Sequence, residues 1–193
     1  MRVTPVLAGA LSCAILGCHP GARTVPPQPS PLQQSLDCDA IWWLTVRFHP
    51  VEQAVEGIPL HTIDSTWVAA QALTPASMPP AWRCQSRQTD DPTLAFALSA
   101  DFNRDGLRDR ALVGVYRTSA AVEGQFLLIV TQRTRGRWEV AELFTIPGQA
   151  GFSVLSYYNN TIAWWMCLEC DDGLRVAWDG QHYRLLPDET REP

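Results

Sequence analysis

The sequence predicts an α+β fold over residues 36–193, an N-terminal helical segment packed on a C-terminal antiparallel β-meander. Two observations carry that prediction: from residue 93 onward short apolar segments alternate with turn residues, and before them residues 65–73 carry a helical pattern. A third places the start of the domain, because residues 19–35 hold five prolines and no apolar periodicity.

The candidate strands are 93–98, 111–117, 125–132, 138–144, 152–157, 161–167, 175–178 and 182–186, each rich in β-branched, aromatic or aliphatic residues. Turn residues separate them at Arg135-Gly136, Pro147-Gly148, Asn159-Asn160, Asp171-Asp172-Gly173 and Asp179-Gly180. Connections this short make neighbours pair antiparallel.

The helical part rests on S-T-W-V-A-A-Q-A-L at 65–73. It opens on a capping serine, is rich in good helix formers, sets Trp67, Ala70 and Leu73 on one face, and stops before Pro75. Residues 50–56 read as a second short helix, whereas residues 41–49 fit either a strand or the continuation of a helix from Asp37. Among the eight tryptophans, Trp164 and Trp165 must point to opposite faces of a strand. An exposed pair of indoles would stack on sugar rings; indoles packed in the core would only build the fold.

Ahead of the domain, Arg2 precedes an apolar run over 6–17 and then Cys18. This order is that of a secretory signal. Twelve helical residues reach only ~18 Å against the ~30 Å of a bilayer core, so the run is an address and not a span. Ile15-Leu16-Gly17-Cys18 resembles the lipobox of bacterial lipoproteins, with an aliphatic residue three before the cysteine and a small one just before it. The resemblance implies a signal peptide over 1–17, acylation of Cys18 (palmitate among its chains) and a lipid-anchored protein of the bacterial cell envelope. Ala10-Leu11-Ser12-Cys13 is a competing box, and cleavage near Ala22 without lipid is a third reading. His19 follows the anchor where aspartate would retain the protein at the inner membrane, so the resemblance favours the outer membrane. Residues 18–35 then form a proline-rich tether, able to hold the domain up to ~50 Å from the membrane at ~3.1 Å per residue.

Net charge is −5 and all fifteen basic residues are arginine. Without lysine, Schiff bases, Ser-Lys dyads and phosphate-loop ATPases are excluded, and without a basic excess nucleic acid is not an expected partner. Four cysteines remain in the domain, Cys38, Cys84, Cys167 and Cys170. In an oxidising compartment an even number implies disulfides, and four cysteines permit three connectivities. The preferred pairs are Cys38 with Cys84, worth roughly 4 kcal/mol of loop entropy, and Cys167 with Cys170, whose role would be local. A redox reading of Cys167-Leu-Glu-Cys170 lacks the helix start that lowers a thiol pKa, and a zinc knuckle lacks a second C-x-x-C.

One motif carries chemistry. In D-F-N-R-D-G-L-R-D at 101–109, Asp101, Asn103, Asp105 and Asp109 place oxygens at positions 1, 3, 5 and 9, and Leu107 offers its carbonyl at position 7. Calcium takes six to eight oxygens, and Gly106 allows the sharp bend such a loop needs. An EF-hand would need a carboxylate at position 12, where Leu112 stands. The loop and the apolar run after it resemble those of integrin-type FG-GAP and VCBS repeats, in which D-x-N-x-D-G-x-x-D joins two strands. The resemblance covers some 15 to 20 residues and implies a Ca²⁺ site without implying a propeller. The same residues also make ordinary turns, and Arg104, Arg108 and Arg110 offset the three aspartates.

Three functions follow from different classes. The favoured one is a non-enzymatic, envelope-tethered binding or structural module with a weak calcium loop, taking an envelope protein or glycan as partner. H-E-x-x-H is absent and Gly151-Phe152-Ser153-Val154-Leu155 lacks the second glycine of a nucleophile elbow. The second is a periplasmic hydrolase built from His49, His61 or His182 with carboxylates brought near in space. The third is an accessory subunit or inhibitor of an envelope protein, marked by an exposed apolar patch.

Overall fold

Residues 41–82, 94–133, 136–169 and 173–187 are described by the computed structural model. Of these, 49% are strand and 11% helical, arranged as three antiparallel sheets with only short helical turns. The α+β expectation, with its N-terminal helical segment, is therefore overturned: the fold is mostly β.

The largest sheet has five strands. β3 (Trp67–Ala72), β5 (Asp109–Thr118), β6 (Glu123–Gln132) and β7 (Trp138–Pro147) follow one another, and β4 (Ala97–Ala100) also pairs with β5. The second sheet runs β11 (Tyr183–Leu185), β10 (Leu174–Trp178), β9 (Thr161–Trp165), β8 (Val154–Tyr158). A two-residue hairpin, β1 (Ala54–Val55) with β2 (Ile58–Pro59), completes the three, followed by one helical turn, α1 (Leu60–Ile63). The eight segments read as one meander fall on β4 to β11, but the chain changes sheet after β7. Ala95 and Leu155 join the sheets, each N–H donating to the other's carbonyl at 2.8 and 2.7 Å.

The Ser65-to-Leu73 stretch failed as a helix for a traceable reason. Trp67 and Ala70 are three apart, which reads as one helical face. In the structure a β-bulge between Trp67 and Ala69 shifts the alternation by one residue, so Trp67, Ala70 and Ala72 all turn to the same side of the sheet. Trp67 stacks on Tyr116 of β5 with centroids 4.8 Å apart and planes 7° apart. A nine-residue helix is marginal alone, and the edge of β5 offers these residues a ladder instead. Residues 50–56 likewise lead into β1, turned by Glu56 and Gly57 at φ 54° and 76°. Residues 41–49 contain a 3-10 turn, Trp42–Leu44, and then extend until Phe48 donates its N–H to the Ala150 carbonyl at 2.8 Å.

Covering both faces of the central hairpin explains its sequence. Ala111, Val113, Val115, Leu127 and Ile129 face the second sheet, in a core that reaches Trp42, Phe152, Trp164 and Tyr183. Leu112, Tyr116, Phe126, Leu128 and Val130 face the hairpin and α1. Strands buried on both sides read as unbroken apolar runs, as A-L-V-G-V and F-L-L-I-V do. Gly114 lies opposite Phe126, and a Cβ there would overlap its ring and the Gln71 carbonyl.

Candidate functional site

The 101–109 segment leads from the end of β4 into β5. At its tip the side chains close on their own backbone. The Asp105 N–H is shared between Asp101 Oδ1 at 3.0 Å and Asn103 Oδ1 at 3.1 Å, while Asp101 Oδ2 accepts the Gly106 N–H at 2.9 Å. Asp105 Oδ1 accepts the Leu107 N–H at 2.7 Å, and its Oδ2 accepts from Asn103 Nδ2 at 3.0 Å. Arg104 and Gly106 adopt φ of 61° and 83°, the left-handed turns this wrapping needs. Asp101 and Asp105 are exposed, Asn103 and Leu107 half-buried.

Asp109 is the opposite case. It is fully buried, and both oxygens bind the scaffold: Oδ2 accepts the Phe102 N–H at 2.9 Å and the Tyr183 hydroxyl at 3.0 Å, and Oδ1 accepts the Thr131 hydroxyl at 2.6 Å. One carboxylate thus ties together the loop, β6 of the first sheet and β11 of the second. Burial, and then the adjacent Asp109 charge, pushes the Tyr183 hydroxyl far above the usual phenol value. Thr131 and Tyr183 lie 22 and 74 residues from Asp109, so no local pattern names them.

The structure therefore brings three of the proposed calcium ligands, Asp101, Asn103 and Asp105, around one amide, and places Asp109 beneath them as a clasp. Among the described residues no three acidic, histidine or cysteine side chains form a group suited to a metal ion. Of the neighbouring arginines, Arg110 is directed to Glu56 at 2.7 Å, which leaves Arg104 and Arg108 as the exposed cations of the segment.

His49, His61 and His182 are exposed, on three separate stretches of chain. The eight tryptophans are all buried or half-buried, so the indoles build the fold. Trp164 is fully buried and Trp165 donates its Nε1–H to Ser156 Oγ at 3.0 Å. Cys167 is buried and its thiol is not free. Cys18, Cys38, Cys84 and Cys170 lie outside the described residues, as do the signal and tether segments. Among the described residues no helix is long and apolar enough to cross a membrane. Compared with known proteins, the chain matches no family model, no curated protein and no solved structure.

Proposed function

We propose that this chain is a non-enzymatic binding or structural module, tethered to the bacterial cell envelope through lipid on Cys18, with a weak calcium loop at its surface. The observation that carries the reading is Asp109: the one buried charged side chain among the described residues is held by three scaffold donors. Buried and held by three donors, Asp109 is closed off from any substrate, and its work is to fasten two sheets. The histidines a hydrolase would need stand apart on exposed chain.

Calcium fits the tip in part. Asp101, Asn103 and Asp105 supply side-chain oxygens from alternate residues, and Leu107 follows two residues on with its carbonyl. A cation entering here competes with the bond from Asn103 Nδ2 to Asp105 Oδ2, since the amide hydrogen and the ion both draw on that carboxylate. That competition argues for weak binding.

Envelope fractionation tests the tether. The intact chain should sediment with membranes and carry acyl chains at Cys18, and Cys18→Ser should be soluble with a mature mass lacking them. A Cys18→Ser protein that still sediments sinks the anchor. A pull-down from native envelope, with the tethered protein as bait, should recover an envelope protein or glycan, and the triple substitution of His49, His61 and His182 by alanine should leave that recovery unchanged.

A further inference from the structure

β3 and β4 lie end to end along the same edge of β5. β3 pairs with residues 114–118 and β4 with residues 109–112. Val113, between them, accepts the Leu73 N–H at 2.9 Å and donates its own N–H to the Phe96 carbonyl at 3.1 Å. The two strands are thus one edge strand, broken where the chain leaves the sheet after Leu73 and rejoins it at Phe96. A cavity of about 380 Å³ lies at the break, lined by residues from both strand ends. This lies in the range of small-molecule pockets, about 300–1,000 Å³.

Its walls are Leu73, Trp82, Leu94, Phe96 and Leu112. Trp82 is fixed by other rings, with centroids 5.1 Å from Phe96, 5.9 Å from Phe152 and 6.3 Å from Trp42, so the wall is preformed. Among the described residues, the charged groups lining the cavity are Arg110 and Glu56, joined between Nη1 and Oε2 at 2.7 Å and 35% and 22% exposed. Their supports differ. Arg110 stands on the central strand β5, whereas Glu56 sits in the turn of a hairpin of two-residue strands. The cation stands on the sheet, and the carboxylate reaches it from the connection that covers that face.

A guanidinium carries five donors, and Glu56 bonds to one nitrogen of it. Its Nε–Nη2 edge has the planar, two-point geometry that matches a carboxylate. We propose that this cavity binds a small amphipathic carboxylate, with its aliphatic chain against Trp82 and Phe96 and its head group on Arg110, Glu56 acting as the counter-ion it competes with.

Because Glu56 competes with the ligand, the two halves of the ion pair should respond with opposite signs. Octanoate, 1-octanol and octylamine titrated calorimetrically into the full-length chain are the probes. Octanoate should bind about tenfold or more tighter than the other two, and Arg110→Gln should weaken octanoate by about tenfold while leaving octanol unchanged. Glu56→Gln should tighten octanoate by a few-fold. A merely structural ion pair would give no such gain. Equal binding of the three probes, no binding of octanoate, or a Glu56→Gln variant that loses octanoate affinity each overturns the proposal. Should Arg110→Gln fail to fold, the probe ranking and the sign of the Glu56→Gln change decide the matter alone.

Discussion

Asp101 and Asp109 open and close the same nine-residue segment, and the fold treats them in opposite ways. Asp101 stays at the surface and accepts hydrogen bonds from the amides of Asp105 and Gly106, its own near neighbours. Asp109 begins β5, is fully buried, and takes its partners from β6, β11 and the loop behind it. The difference teaches that a spacing of oxygens describes what a loop could ligate, whereas the strand that follows decides which oxygens stay available. Alternation along β5 sends Asp109 toward the core between the sheets, with Ala111 and Val113, and sends Arg110 to the other face, toward Glu56.

The sharpest way to break this comparison is Asp109→Ala. It leaves the Phe102 N–H and the Thr131 and Tyr183 hydroxyls without their acceptor, which should cost about 3–5 kcal/mol. Denaturant unfolding should show the midpoint falling at unchanged slope, by the same amount in calcium and in chelator. A loss below about 1 kcal/mol would mean that the clasp is not what fastens the sheets.

Alkaline titration probes the same clasp more gently. Burial and Asp109 raise the Tyr183 hydroxyl above its unfolded value, so between the two values the unfolded state releases a proton that the folded state keeps. The stabilisation is therefore whole below about pH 10 and falls by about 1.4 kcal/mol per pH unit above it. Tyr116, also raised by burial, contributes with the same sign. Tyr183→Phe should lose about 1–2 kcal/mol at neutral pH and show a shallower alkaline decline than the parent. Parallel alkaline slopes for the two proteins would remove Tyr183 from the account.

Legibility of the sequence followed the range of the interactions. β5 and β6 were readable because burial on both faces leaves unbroken apolar runs, and the β8–β9 turn because Asn159-Asn160 accepts the left-handed φ of 50° and 61°. Trp67 and Ala70 misled because a bulge imitates helical spacing, and the Glu56-Gly57 turn was missed because glutamate is an unusual residue at positive φ. The switch of sheets after β7 left no local mark. At the 101–109 segment the residue types were legible and their directions were not: Thr131 and Tyr183 become partners of Asp109 only once two sheets stack.

The smallest expected effect belongs to the exposed end. Asp105→Ala removes acceptors for Leu107 N–H and Asn103 Nδ2, both at the surface, so in chelator it should cost only about 0.5–1 kcal/mol. Its larger consequence is conditional. Extracellular calcium modules bind at about 10⁻⁴ to 10⁻³ M, and the exposed Arg104 and Arg108, with the competing bond from Asn103, keep this loop near that range. At ten times its dissociation constant, calcium would stabilise the intact protein by about 1.4 kcal/mol if the unfolded chain does not bind it. Asp105→Ala should lose that increment entirely, and magnesium should supply little of it to either protein, because it demands a tighter octahedron of oxygens. Thermal melts of both proteins, in millimolar calcium and in chelator, measure the increment directly. If the intact protein melts at one temperature in both, the self-bonded tip is a turn and nothing more, and both ends of the segment are then structural, differing only in whether they fold back on themselves or reach across the molecule.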